Sequence, residues 1–351
     1  MKLTIASLIV SFIVSVFLIP SIIKISHHKK WYDEVDERKI HDGDIPRIGG
    51  VGIFWGFIIP IQIICHVLLR EHISDEVYIK FNVLTVAACV IHLIGLLDDF
   101  QNLRPRYKFI GQFVVAIILT IFGFHFPAIH IPFTSFEITA PAITIPISIV
   151  WIVGVSNAVN LIDGIDGLSS IITITAAAFI GVRNYLSGDM ITVIVCACLI
   201  GATLGFFYYN KPKASIFMGD SGSIFIGFLL AIIPMLQIKM NHTLIFESSI
   251  TILTIPIIDT VFAMSRRIYN GIHIATPDKE HFHHLLLDFK LSNVTILLIV
   301  VLINLYLGLI SILAMAFPSQ SKTICSVMFM GWILSFFAIY LLHRRWKLKI
   351  R

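Results

Sequence analysis

Long apolar stretches separated by short polar ones set the pattern of this chain. Eleven runs stand out: Leu3–Ile23, Ile48–Leu69, Phe81–Leu97, Phe109–Phe126, Ile143–Val159, Leu168–Leu186, Met190–Phe207, Ser221–Ile238, Ser248–Ser265, Val294–Phe317 and Ile324–Leu342. Most are 17 to 24 residues long, which suits α-helices crossing a hydrocarbon core about 30 Å thick. The pattern predicts an all-α integral membrane protein, a polytopic bundle of about 11 transmembrane helices forming one domain over residues 1–351. The first run has only Lys2 ahead of it and no small-x-small cleavage site, so it reads as a span rather than a leader. Between Phe126 and Pro146 the pattern changes. Alternation over residues 129–133 and 136–138 predicts a small external β-hairpin.

Composition agrees. Hydrophobic residues make up 57% of the 351 and charged residues only 13%, against about 25% charged in soluble domains. The five cysteines (Cys65, Cys89, Cys196, Cys198, Cys325) all lie in apolar runs and read as small packing residues, with no disulfide framework. No repeat and no linker tract divides the chain, and no span shows a clear small-x-x-x-small seam.

Charge sets the orientation. Assigned in alternation, one side receives twenty of the 26 Lys and Arg, in residues 24–47, 98–108, 208–220, 266–292 and 343–351. The positive-inside rule places that side in the cytoplasm and the N-terminus outside. Fourteen of the 21 Asp and Glu fall there too. Acids do not determine orientation and are costly near hydrocarbon, so their concentration marks a site.

Three polar clusters are the richest: Asn157–Leu168, Phe217–Gly222 and residues 275–284. In the first, Asn160, Asp163 and Asp166 recur every third residue beside Gly164 and Gly167, with no Lys or Arg. Oxygen ligands of this type select a hard cation such as magnesium. In the second, Asp220 opens the eighth run, where free backbone N–H groups also favour a phosphate. The third holds Asp278, Lys279, His281, His283 and His284 without a zinc spacing, and suits a diphosphate better. A further acidic pair, Asp98-Asp99, ends the third run, with Arg104, Arg106 and Lys108 just beyond. Paired acids beside bases suit an anionic substrate that shares its site with a metal. Asp259 lies inside the ninth run and is expected to face the bundle and pair with Arg266 or Arg267.

These motifs, together with Pro46-Arg-Ile-Gly-Gly50, resemble in order and spacing the polyprenyl-phosphate N-acetylhexosamine-1-phosphate transferases, of glycosyltransferase 4 type. That family includes the phospho-N-acetylmuramoyl-pentapeptide transferases and the enzymes that start O-antigen, enterobacterial common antigen or teichoic-acid linkage synthesis. The resemblance implies an enzyme of the plasma (inner) membrane with a cytoplasmic active site. It would transfer a sugar 1-phosphate from a UDP-sugar to undecaprenyl phosphate and release UMP, using Mg²⁺, or Mn²⁺ in its place. Asp220 and Asn160 match its metal-binding positions. Asp98 and Asp99 match its catalytic acidic pair, with Asp98 as base toward the lipid phosphate, and Asp163 matches a further active-site acid. Lys108 matches a residue near the phosphates. Phe217 and Gly164 resemble the pair that sandwiches uracil, with Asp166 and the Leu161 backbone at its edge. His281, His283 and His284 resemble an element that contacts diphosphate or sugar.

Two departures refine this. Asn102 stands where many bacterial members have a third aspartate, which withholds a catalytic role from that position. The last loop lacks His-His-His-Phe-Glu, which favours an N-acetylglucosamine substrate over the pentapeptide precursor. Homodimers occur in such families; no nucleic-acid partner is expected. Among other classes, a transporter would gather ionisable groups near the midplane rather than at one side. A prenyltransferase would need a second Asp-rich motif, and a CDP-alcohol phosphotransferase an Asp-Gly-x-x-Ala-Arg signature. Neither is present.

Overall fold

The computed structural model describes residues 1–32, 45–131, 134, 136–236, 245–271, 273 and 281–317, with isolated positions beyond. The helices are α1 (Lys2–Lys29), α2 (Gly50–Ile63, continued by a π-turn Ile64–Leu68), α3 (Asp75–Gln101), α4 (Pro105–Ile121), α5 (Pro141–Ile162) and α6 (Leu168–Leu186). They continue with α7 (Met190–Asn210), α8 (Gly219–Ile232, extended by a 3₁₀ turn Ile233–Met235), α9 (Ile245–Ile252), α10 (Thr254–Tyr269), α11 (Phe282–Asp288) and α12 (Asn293–Ala316). Each of the first ten apolar runs falls on one of these helices, or on the α9–α10 pair. Most of the run Ile324–Leu342, the C-terminal tail, Asp278 and Lys279 lie outside the described residues.

Among the described residues, six helices are long and apolar enough to cross a membrane, or seven if α9 and α10 count as one span. The described chain is therefore mainly helical with several membrane-span-capable helices, while three other expected runs fall short of that length or hydropathy. The reasons are local. Helix α4 has 17 residues, α8 turns 3₁₀ at Pro234, and α6 is diluted by Ser169, Ser170, Thr173, Arg183 and Asn184. The ninth run is not straight: α9 and α10 meet at 77°. Pro256, in the first turn of α10, cannot donate to the carbonyl of Ile252, which favours a break there. Two short strands, β1 (Ile129–His130) and β2 (Glu137–Ile138), pair antiparallel with Ile129 opposite Ile138, so the expected hairpin region does pair.

Helix α8 is the axis of the fold. Every residue from Asp220 to Ile232 is buried, and α2, α3, α5 and α6 pack around it. Close approach comes from glycine. A Cβ on Gly95 of α3 would stand 2.6 Å from Ser221 Cα, and one on Gly50 of α2 would overlap the backbone of Gly222. The first turn of α8 is thereby pressed between α2 and α3.

A small-residue seam, unexpected from the sequence, joins α1 to α7. Ser7, Ser11 and Ser15 are buried at a spacing of four along α1, and Gly201 and Gly205 face them from α7. A Cβ at Gly205 would come within 2.7 Å of Ser15 Cβ, and one at Gly201 within 2.9 Å of Ser11 Cβ. In lipid, where tails are as apolar as leucine, such close backbone packing is a principal source of helix association.

Candidate active site

The site is assembled at the start of α8. Main-chain hydrogen bonds run from Phe217 N to Pro46 O (2.8 Å), from Gly49 N to Phe217 O (2.9 Å) and from Gly50 N to Met218 O (2.8 Å). They lay the segment before α2 along the segment before α8. Gly219 begins the helix at φ +67°, a left-handed conformation that other residues adopt at a cost. A Cβ there would also press on an Asp99 carboxylate oxygen at 2.6 Å.

Five charged side chains meet at this point. Lys108 Nζ, from the first turn of α4, donates to Asp98 Oδ2 and Asp220 Oδ2, both at 2.9 Å. Arg47 donates from its terminal nitrogen to Asp220 Oδ1 at 3.2 Å, and its Nε lies 3.4 Å from Asp99 Oδ1. Asp99 accepts the backbone N–H of Asp220 at 2.7 Å and of Ser221 at 3.0 Å. These are two of the four amides that a helix start leaves without intrahelical partners. Asp99 thus caps the central helix from a neighbouring one, with a side chain 0% exposed. Acids at the end of α3 oppose that helix's dipole, but here they face a lysine, an arginine and the positive end of α8. Asn102 closes α3 at φ 47°, its N–H on Asp98 O at 2.9 Å. A left-handed helix end suits Asn, which gives that residue a structural purpose.

Beside this cluster opens a cavity of about 420 Å³ lined by Arg47, Asn160, Asp163, Gly164, Asp166 and Phe217 among others, with Asp220 and Ser223 at its α8 wall. Asn160, in the last turn of α5, donates to Ser223 Oγ at 2.8 Å, which leaves its carbonyl oxygen for another partner. Asp163, the residue after α5, has its carboxyl raised to about 7 by desolvation, reinforced by the charges of Asp220, Asp166 and Asp99. Asp166 accepts the amides of Lys213 and Ala214 at 3.1 and 3.2 Å and so shapes the loop before α8. Asn210 ties Gly167 N (3.0 Å) to Ile216 O (2.9 Å) across the same wall.

The His-rich element stands behind Gly164. His281, His283 and His284 do not line the cavity, but His283 packs on Gly164, where a Cβ would collide with its ring. Both ring nitrogens of His283 are buried without a hydrogen-bond partner. Burial, and then the neighbouring His284 and His281, lower its pKa to about 3. Asp259 reaches His281 Nδ1 at 2.8 Å and the Phe282 N–H at 2.7 Å, so its partners lie in this element rather than only along its own helix.

Residues from five separate stretches of sequence therefore converge. Asn160, Asp163, Gly164, Asp166, Phe217 and Asp220 share the cavity. Asp98, Asp99 and Lys108 join it through Asp220, and Leu161 adjoins it without lining it. Sequence reasoning had assigned no role to Arg47, Asn210, Met218 or Ser223, which line it as well. Arg47 sat in a motif already noted, and Ser223 follows Gly219 by one helical turn.

The profile of glycosyl transferase family 4 matches residues 81–238, a span that holds most of the site. A probable undecaprenyl-phosphate N-acetylglucosaminyl 1-phosphate transferase of Bacillus subtilis (strain 168) is 34% identical over 335 residues, 94% of this chain and 90% of that protein. The chain belongs to glycosyl transferase family 4. A phospho-N-acetylmuramoyl-pentapeptide-transferase of Listeria monocytogenes is 30% identical, with 78% of this chain and 87% of that one covered. A decaprenyl-phosphate N-acetylglucosaminephosphotransferase of Mycobacterium tuberculosis is also 30% identical, over 78% and 72%.

For a family 4 transferase the donor set can be tested against a divalent cation. No group of three or more His, Cys, Asp or Glu suited to a metal occurs among the described residues, so the side chains offer no closed cage. Asp220, whose oxygens meet Arg47 and Lys108, and Asn160, whose amide nitrogen is taken by Ser223, instead offer hard oxygen donors to the same cavity. Magnesium is commonly held in this way, through one or two protein oxygens with substrate phosphates completing the shell.

Proposed function

We propose that this enzyme transfers N-acetylglucosamine 1-phosphate from UDP-N-acetylglucosamine to undecaprenyl phosphate, releasing UMP and starting a lipid-linked cell-envelope glycan. The observation that carries this reading is Lys108 held between Asp98 and Asp220 at the start of α8, beside a nucleotide-sized cavity. Support comes also from the match to the Bacillus subtilis protein over nearly the whole chain.

Two anionic phosphates must be brought within bonding distance, so their repulsion is the first obstacle. Lys108 and Arg47 supply positive charge at that point, and the N-terminus of α8 adds to it. Asp98 takes the acceptor side, as base or anchor for the lipid phosphate. A lipid phosphate oxygen attacks the β-phosphorus, and the anhydride bond to the α-phosphate breaks as the new bond forms. UMP then leaves with the α-phosphate. Phe217 and Gly164 flank the uracil, with Asp166 and the Leu161 backbone at its edge. Asp163 is a further acid of the site, and the element of His281, His283 and His284 backs the Gly164 wall on the sugar diphosphate side. Asp99 serves as the cap that keeps Asp220 in place. Magnesium, or manganese, held by Asp220 and Asn160 would supply Lewis-acid stabilisation of the diphosphate.

In the membrane, α4, α6, α8 and the run Ile324–Leu342 would cross as well, giving eleven spans. The Lys and Arg bias supports an external N-terminus, an external β1–β2 hairpin and a cytoplasmic site in the plasma membrane.

The test is UMP release by purified protein supplied with undecaprenyl phosphate and a panel of UDP-sugars, with and without Mg²⁺. Release from UDP-N-acetylglucosamine, lost in chelator, is expected. Release only from the muramoyl-pentapeptide nucleotide would move the chain to the other branch, and solute flux without UMP would make it a transporter.

A further inference from the structure

We infer that Asp259 is a positioning residue that orients His281, and through it the His-rich element, for the transfer proposed above, on which this inference rests. Asp259 sits on α10 and is 1% exposed. One carboxylate oxygen lies 2.8 Å from His281 Nδ1 and the other accepts the Phe282 N–H at 2.7 Å. A carboxylate oxygen facing a ring nitrogen at this distance accepts, so Nδ1 is the donor of the pair and Nε2 is turned away from Asp259. Holding ring and backbone together, Asp259 fixes both the tautomer and the rotation of the imidazole. Carboxylates act in this way on histidines whose second nitrogen has work to do.

The consequence passes toward the cavity. His281 stacks parallel to His283, with ring centroids 6.0 Å apart and planes at 3°. His283 in turn rests on Gly164, a cavity-lining residue. Its two ring nitrogens are buried and unpartnered, an arrangement that costs stability unless something arrives to meet them. Helix α10, which carries Asp259, packs on α5, which carries Asn160. A buried acid on the bent helix thus sets where a pair of imidazoles stands against the wall of the site.

A double-mutant cycle tests this. Purified Asp259→Ala, Asp259→Asn, His281→Ala and Asp259→Ala/His281→Ala are compared with wild type in turnover, in KM for each substrate and in melting temperature. Asp259→Ala should lower kcat/KM for the UDP-sugar on the order of 10–100-fold, leave KM for undecaprenyl phosphate unchanged, and be partly rescued by Asn, which keeps one acceptor. In the His281→Ala background the same change should have almost no further effect. Additive losses, wild-type constants in Asp259→Ala, or a lower melting temperature with normal turnover per folded molecule would each overturn the assignment. The ¹⁵N imidazole signals of His281 give a readout independent of turnover: Nδ1-protonated in wild type, redistributed in Asp259→Ala. An unchanged tautomer would sink the inference even if no UDP-sugar is turned over. Absent UMP release with a redistributed tautomer would instead sink only the proposed reaction.

Discussion

The carboxylate of Asp99 receives the backbone N–H of Asp220, 121 positions away in sequence, at 2.7 Å. The two acids of the Asp98-Asp99 pair therefore do different things: one faces a lysine, the other holds a helix. Asp99→Asn replaces one accepting oxygen by an amide, which opposes either the Ser221 N–H at Oδ2 or the Asp220 N–H and Arg47 at Oδ1. It should destabilise the protein by about 2 kcal/mol, the scale of a hydrogen bond to a charged group. Asp98→Asn leaves Lys108 paired with Asp220 and should keep the wild-type melting temperature while losing turnover. Thermal unfolding in detergent, run beside UMP release, separates the two; equal melting temperatures would remove the capping role.

Ser223 offers a test of the proposed magnesium site that spares the carboxylates. Its hydroxyl accepts from Asn160 Nδ2 at 2.8 Å and so fixes the rotation of an amide that lines the cavity. Ser223→Ala should raise the magnesium concentration for half-maximal activity on the order of 10-fold or more, as loss of an outer-shell partner does. Activity titrated with MgCl₂ reads this directly. An unshifted midpoint would show that Asn160 is not oriented by Ser223.

Asp163 predicts a pH dependence with a definite sign. Its folded-state pKa of about 7 lies above the ordinary carboxylate value, so folding favours the protonated form. The stabilising contribution is complete below about pH 4 and is lost as pH rises to about 7. Metal-free wild type should therefore lose stability relative to Asp163→Asn between pH 5 and pH 8. Melting temperatures of both proteins in EDTA at those two values provide the check, and a constant difference would refute it.

The α1–α7 seam predicts a steric limit. Any Cβ at Gly201 overlaps the backbone carbonyl of Leu8, so Gly201→Val should cost about 1–3 kcal/mol or more, the range for overpacking. Ser15→Ala keeps the small size and should be tolerated. The yield of folded protein in detergent distinguishes them.

How much of this was legible beforehand follows from range. Helix α6 occupies the same residues as its apolar run, Leu168–Leu186, and α7 starts where expected at Met190, because hydropathy is a local signal. The carboxylates that gather around α8 were legible too, since acids near lipid need a reason. The 77° turn was missed although Pro256 marked it. The Ser7-Ser11-Ser15 and Gly201-Gly205 spacings were present in the sequence, but only facing backbones turn such spacing into a seam. Arg47 was unassignable because its place depends on main-chain pairing between segments about 170 residues apart in the chain.

That pairing has a practical result. With Pro46, Gly49 and Gly50 bonded to Phe217 and Met218, two distant loops behave as one rigid sill. Lengthening either by a single residue would slide Arg47 out of register with Asp220 and disarm the enzyme without removing any catalytic side chain. Tags and insertions therefore belong elsewhere on the chain.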